Sequence, residues 1–307
     1  MEGCMKKVGL VGLGDMGMGM AKNILKHGFD LTGFDLRPER LQQLSESGGK
    51  PAANCREVGE HADYVFVMVL NGAQAHEVIF GKDGLLEGLA SGAVILVSAT
   101  IHPAEMREIE RNLADRTIHL VDTPVSGGQS GADNGTLTMM VAAKAEVFED
   151  CKPVLDAVGQ QIFHVGDHVG MGQTVKAAHQ ALCGAVMTAT FEAFVLGVKA
   201  GADPEALSKV IGAGAAGNHL SRVAMQSIME RKFTGTGSHI GTMYKDLGIS
   251  MAMAKENGVP MFTTSAAYEL FQSGKSLFPH EDNWSVAKLL EQIAGITINK
   301  TSREHAQ

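Results

Sequence analysis

The chain has 307 residues, of which 45% are apolar and 20% charged, and it carries a net charge of −8 at neutral pH. That length accommodates about two domains of ~150 residues, and the composition argues against a disordered chain. The acidic balance, with no basic stripe, argues against nucleic acid as a partner.

The first half alternates short apolar runs with amphipathic stretches. The runs are Val8–Leu13, Leu31–Phe34, Tyr64–Leu70, Ala93–Ala99, Ile118–Val121 and Leu137–Ala143. Each is nearly continuously apolar and rich in Val, Ile or Met, as strands buried on both faces are. Helical stretches lie between them, at Met16–His27, Glu39–Ser47, Ala73–Phe80, Ala104–Ala114 and Ala145–Val158. Strand and helix alternating at this spacing predict an α/β fold, a Rossmann-type doubly wound sheet, over residues 1–165. After Gly166 the pattern changes. One long Ala-rich helix is predicted from Gln173 to Ala200, followed by helices at Pro204–Ile211, His219–Arg231, Thr242–Asn257, Thr264–Gln272 and Val286–Ile293. The second domain, 166–307, therefore reads as all-helical, and its long first helix is expected to pack directly against the first domain.

The four cysteines, Cys4, Cys55, Cys151 and Cys183, form no CxxC pair and no His/Cys spacing suited to zinc. They read as free buried thiols of a reducing cytoplasm, and no metal is expected. No apolar run reaches the ~18 residues of a membrane span. The chain enters its first strand, Lys6–Leu13, without a signal-peptide pattern. The expected location is the cytoplasm.

Gly12-Leu13-Gly14-Asp15-Met16-Gly17 follows the first strand and opens the first helix. The first Gly allows the tight turn, the second admits a pyrophosphate to the backbone, and the third lets helix and strand pack closely. The helix start then offers unpaired N–H groups and the positive end of its dipole to the phosphates. Asp35 ends the second strand, 18 residues after Gly17, where a carboxylate accepts from the adenosine ribose hydroxyls. A carboxylate there repels a 2′-phosphate and favours NAD. Arg37 keeps NADP open, because it stands within reach of a 2′-phosphate. Leu36 between them, and Leu70, Asn71 and Thr100 after the fourth and fifth strands, complete the expected cofactor crevice.

These residues, with Met20-Ala21-Lys22-Asn23 after them, resemble the N-terminal signature of the β-hydroxyacid dehydrogenase family. That family includes 3-hydroxyisobutyrate, tartronate semialdehyde and 6-phosphogluconate enzymes. Asp122-Thr123-Pro124-Val125-Ser126-Gly127-Gly128, running on to Gly135-Thr136-Leu137-Thr138, resembles its substrate loop. Gly170-Met171-Gly172 with Lys176 resembles its catalytic-lysine segment, and Lys245-Asp246-Leu247 its C-terminal contact to substrate and cofactor. The similarity spans nearly the whole chain in order. There are departures. The family usually places Asn three residues after the lysine, whereas here Lys176-Ala177-Ala178-His179-Gln180 puts His179 there, and Asn71 stands where proline is common. The Lys-x-x-His-Gln form, with Asn71–Gln74, Val97–Thr100 and Ala215–Asn218, is most similar to the L-threonate dehydrogenase branch, which oxidises the 2-hydroxyl of a sugar acid with NAD.

The resemblance implies a dehydrogenase of small hydroxy acids in which Lys176 is the general acid/base. A desolvated ammonium has a depressed pKa, so it exchanges a proton near neutral pH. His179 is one helical turn from Lys176 and reads as a donor to a substrate carboxylate or hydroxyl. Ser126, Gly127 and Gly128 supply a hydroxyl and backbone N–H groups that suit an anionic head group. Lys245 is expected to bridge substrate and cofactor, and Asp246 to pair or cap beside it. Asn218 reads as a helix N-cap, Met251–Met253 as core packing, and Trp284 as a packing anchor.

Rival readings stay open: a reductase of the tartronate semialdehyde kind, a 3-hydroxyisobutyrate enzyme, a phosphonate or sulfonate substrate, or a dinucleotide-binding module without catalysis. By family analogy a homodimer or homotetramer is expected, with the long helix at its interface.

Overall fold

The computed structural model describes residues 6–300. Two compact units are present, one running through Lys176 and the other starting at Ala177.

The first unit is an open sheet flanked by helices. The strands β1 (Lys7–Val11), β2 (Asp30–Phe34), β3 (Lys50–Pro51), β4 (Tyr64–Val67), β5 (Val94–Val97) and β6 (His119–Asp122) pair in parallel in the order 3-2-1-4-5-6. The edge beyond β6 is mixed. There β8 (Leu137–Ala142) runs antiparallel to β6 and to the short β7 (Val125–Ser126), and β9 (Gly159–Gly166) pairs in parallel with β8. The intervening helices are α1 (Asp15–Lys26), α2 (Pro38–Glu46), α3 (Cys55–Glu60), α4 (Gly72–Phe80), α5 (Pro103–Asn112), α6 (Gly128–Asn134) and α7 (Ala145–Asp156).

The continuously apolar runs are explained by burial on both sides. In β4, Tyr64 and Phe66 enter one core cluster while Val65 and Val67 enter the other; in β5, Val94 and Leu96 alternate in the same way with Ile95 and Val97. The sequence reading did not anticipate β3, β7, β9, α3 or α6. The two-residue strands carry no periodicity. In β9 only Gly159 is fully buried, so this edge strand has no apolar run to announce it.

The second unit is helical. It comprises most of α8 (Met171–Lys199), then α9 (Pro204–Ala213), α10 (His219–Met229), α11 (Ile240–Glu256), α12 (Phe262–Leu277) and α13 (Val286–Ala294). Its core gathers Met187, Phe191 and Phe194 of α8 with Met225, Ile228, Leu247, Phe271, Trp284 and Val286. Trp284 is anchored as expected, its Nε1 donating to Thr236 Oγ1 at 3.2 Å. Asn218 caps α10 by accepting from Ser221 N at 2.9 Å.

The units divide inside α8, after the residue 165 expected from the pattern change, because the first turn of that helix is bonded to the sheet. By length and composition α8 is apolar enough to cross a membrane, which corrects the expectation that no stretch qualifies. Its Ala, Val, Leu, Met and Phe outweigh single Thr, Gly, Gln and His interruptions that break an uninterrupted count. The burial of Met187, Phe191 and Phe194 in the unit's own core is that of a core helix.

Candidate active site

The glycine-rich turn is built as the sequence requires. Gly12 has φ +93°, and a Cβ there would lie 2.3 Å from the Met68 carbonyl oxygen; a Cβ on Gly17 would lie 1.9 Å from the Gly12 carbonyl oxygen. Neither position admits a side chain. Gly14 is the N-cap of α1 and brings no side-chain cap, so the first N–H groups of the helix have no partner on the cap residue. A Cβ on Gly14 would meet only Arg37 Nη2, at 3.6 Å. The backbone is thus open on this side, and the turn fits the pyrophosphate of a dinucleotide. Leu13 is buried, Met16 packs against the core, and Asp15 pairs with Arg40 Nη2 at 2.7 Å.

Asp35 is tied into this turn. Its Oδ2 accepts from Leu13 N at 2.8 Å, and its Oδ1 accepts from both Arg37 N and Arg37 Nε at 3.0 Å. Burial raises the carboxyl's pKa, but the side-chain and backbone bonds from Arg37 and the bond from Leu13 outweigh it and hold the group below its usual range. Arg37, expected within reach of a 2′-phosphate, is therefore a partner of this acid. Leu36 beside it is 87% exposed.

The ends of the parallel strands carry the remaining first-unit candidates. Leu70 is exposed after β4, and Asn71 caps α4 through Oδ1, which accepts from Gln74 N at 2.9 Å. Thr100 follows β5. Ser126 ends β7, and Gly127 and Gly128 are exposed at the turn into α6.

Lys176 is 5% exposed on α8. The start of that helix reaches the sheet because Gly172 has no side chain: a Cβ there would lie 2.6 Å from the Met140 carbonyl oxygen and 2.9 Å from Asp122 Cγ. Asp122, fully buried at the end of β6, accepts from Gly170 N at 2.7 Å, from Gln173 N at 3.1 Å and from Gln173 Nε2 at 2.9 Å. Burial pushes its carboxyl up to about 6, against the opposing pull of these bonds. Gln173 also spans the loop after β5: its Oε1 accepts from Ile101 N and its Nε2 donates to the Ala99 carbonyl, both at 3.0 Å. The sequence reading quoted Asp122 without a role and missed Gln173. A charged residue ending a buried strand was the available signal for the first, and none existed for the second.

In the second unit His179 and Gln180 continue α8. Gln180 Nε2 donates to Asp246 Oδ2 at 2.7 Å, and Asp246 Oδ1 pairs with Lys245 Nζ at 3.0 Å. Asp246 thus has the pairing role expected of it. His179 Nδ1 lies 3.1 Å from Gln180 Oε1 and 3.5 Å from Cys183 Sγ. Since Asp246 is an acceptor facing the amide nitrogen, Gln180 Oε1 is the atom turned to His179. Cys183 is half-buried, unlike the buried Cys55 and Cys151, while Cys4 lies outside the described residues. Burial pushes the Cys55 and Cys151 thiols up to about 11 and about 12. Among the described residues no group of three His, Cys, Asp or Glu could hold a metal ion.

Residues 7–166 match the family described as the NAD binding domain of 6-phosphogluconate dehydrogenase, and residues 170–290 match the NAD-binding domain of NADP-dependent 3-hydroxyisobutyrate dehydrogenase. The chain belongs to the β-hydroxyacid dehydrogenase family. It is 35% identical to the 2-(hydroxymethyl)glutarate dehydrogenase of Eubacterium barkeri, over 95% of this chain and 97% of that one. It is 33% identical to an L-threonate dehydrogenase of Cupriavidus necator, over 94% and 97%. A solved 3-hydroxyisobutyrate dehydrogenase from Salmonella typhimurium superposes with a TM-score of 0.86 at 34% identity, over 92% of this chain and 99% of that one. This family member is an NAD(P)-dependent hydroxyacid dehydrogenase. Its Rossmann-type unit binds the dinucleotide and its second unit is helical, as expected.

Proposed function

We propose that the enzyme oxidises a hydroxyl of a small sugar acid of the L-threonate kind with NAD, and that Lys176 takes the proton. The carrying observation is the burial of Lys176 one helical turn after Gln173, whose side chain is bonded to the loop after β5 and to the end of β6. Ligands of open α/β sheets sit at such strand ends.

When bound, the nicotinamide supplies the hydride acceptor. The chain's residues hold the substrate and move the other proton. The Lys176 amine would take the proton of the substrate hydroxyl as that hydroxyl becomes a carbonyl. Positioned proton transfer of this kind contributes ~10²–10⁴ in rate. Ser126, Gly127 and Gly128 are assigned to the acid head group, and His179 and Lys245 to further substrate contacts, Lys245 reaching the cofactor as well. Gly12–Gly17, Asp35, Leu36, Arg37, Leu70, Asn71 and Thr100 are assigned to the cofactor. The preference for NAD rests on the Asp35 carboxylate, which would meet a 2′-phosphate with like charge. Free buried thiols at Cys55 and Cys151 accord with action in a reducing cytoplasm. A homodimer or homotetramer remains part of this reading by family analogy.

A second reading, oxidation of 3-hydroxyisobutyrate or reduction of the corresponding aldehyde acid, is favoured by the name of the superposed Salmonella enzyme. Initial rates with NAD and NADP across a panel of hydroxy carboxylates, phosphonates and sulfonates decide between them. L-threonate should give the highest kcat/KM; a branched 3-hydroxy acid ahead of every sugar acid would replace the first reading by the second.

A further inference from the structure

We propose that Gln173 is a positioning residue that fixes the loop Ala99–Ile101 against the turn of α8 carrying Lys176. The inference rests on the reading of Lys176 as the proton-transfer residue and extends it to a side chain whose amide is bonded to the protein itself.

The geometry is a clamp. Gln173 is 1% exposed. Its amide grips the backbone on both sides of Thr100, accepting from Ile101 N and donating to the Ala99 carbonyl, each at 3.0 Å. A planar amide that matches one N–H and one C=O fixes the height and the tilt of the loop together. The second Nε2 hydrogen goes to Asp122 Oδ1 at 2.9 Å. Asp122 holds the same turn of α8 from its other oxygen, through Gly170 N and Gln173 N. Gln173 is thus tied through its side chain to the loop after β5 and to the end of β6, and through its backbone to α8. Lys176 follows three residues on, on the same helix face. Thr100 and Lys176 are placed by one rigid link, with every donor and acceptor of the Gln173 amide engaged.

Such a link governs the distance between the nicotinamide end of the cofactor crevice and the proton acceptor. A misplacement of about 1 Å between reacting groups costs ~10²-fold in rate. The adenosine half of the site, at Asp35 and the glycine turn, shares no bond with Gln173. Its loss is therefore expected in kcat and not in cofactor affinity.

The test compares Gln173→Met, which keeps length and burial but removes both amide groups, with Gln173→Glu and with the Gln173→Glu/Asp122→Asn double variant. The double variant reverses donor and acceptor across the 2.9 Å bond. Thermal melts, NAD affinity by fluorescence, kcat, KM and the primary deuterium isotope effect are measured on each. The expected result is a folded Gln173→Met enzyme whose NAD Kd changes less than threefold while kcat falls 10- to 100-fold with an altered isotope effect. Gln173→Glu should be worse, and the double variant should recover part of the loss. A folded Gln173→Met enzyme with kcat within twofold of wild type would overturn the proposal, as would a kcat loss matched by an equal loss of NAD affinity. Should the single variants not fold, amide exchange at Ile101 in the wild type carries the test: slow exchange supports the clamp and exchange at the open-loop rate overturns it. Lys176→Ala is run in parallel. Unchanged kcat there removes the proton-transfer reading on its own, whatever Gln173 does.

Discussion

Arg37 holds Asp35 through two groups at once, its backbone N–H and its Nε, both 3.0 Å from Oδ1. The acid that would receive the adenosine ribose is therefore fixed in its rotamer and kept ionised by the cation two residues on. Asp35→Ser removes the like charge that faces a 2′-phosphate and releases Arg37 to bind it. Steady-state kinetics with both cofactors should show kcat/KM falling with NAD and rising with NADP. A wild-type enzyme that already prefers NADP would contradict this account.

Lys176→Ala should leave NAD binding nearly intact and lower kcat by ~10²-fold or more. Stopped-flow hydride transfer and equilibrium cofactor titration separate the two effects. Loss of cofactor affinity with kcat retained would assign the lysine to binding.

His179→Asn places the family's more usual amide beside Gln180. The imidazole now stands 3.1 Å from Gln180 Oε1, and Gln180 is anchored on Asp246. The substitution should keep some activity, raise KM for polyhydroxylated acids more than for 3-hydroxyisobutyrate, and shift the pH profile between 6 and 10, since an amide does not titrate. An unchanged substrate ratio with an unchanged optimum would leave His179 as a packing residue.

Asp122 sets a pH dependence of stability. Its folded carboxyl is raised to about 6, against about 3.9 for an unfolded aspartate. The folded protein keeps this proton while the unfolded chain loses it, so the contribution of the group to stability falls as pH rises from about 4 to about 6 and is level above. Asp122→Asn removes that slope. Chemical denaturation between pH 4 and 7 should show the gap between wild type and variant narrowing as pH rises; a gap that widens would reverse the sign of the shift.

Gly172→Ala tests the close approach of α8 to the sheet. The added methyl would sit 2.6 Å from the Met140 carbonyl oxygen and 2.9 Å from Asp122 Cγ, so backbone has to move. Overpacking of this kind costs about 1–3 kcal/mol, and the displacement should lower kcat as well. A variant as stable and active as wild type would show that the helix start is free to shift.

The local pattern alone determined the alternation of strands and helices, the glycine turn, the acid following β2 and the long helix carrying Lys176. Each is written in a contiguous stretch of chain: apolar runs for strands buried on two faces, and Gly spacing for a turn that admits no Cβ. The family resemblance added the assignment of Lys176. Tertiary structure decided the rest. The edge strand β9 is largely exposed, so it exists through its pairing with β8 and not through its own composition. Gln173 is 51 residues from Asp122 and 72 from Ile101, and a glutamine in a helix looks the same in sequence whether solvated or clamped. That the Arg37 guanidinium is engaged by Asp35 shows only once both side chains are placed. Hydrogen bonds between distant segments leave no periodicity in the chain, because their partners are chosen by how the sheet and α8 come together in space.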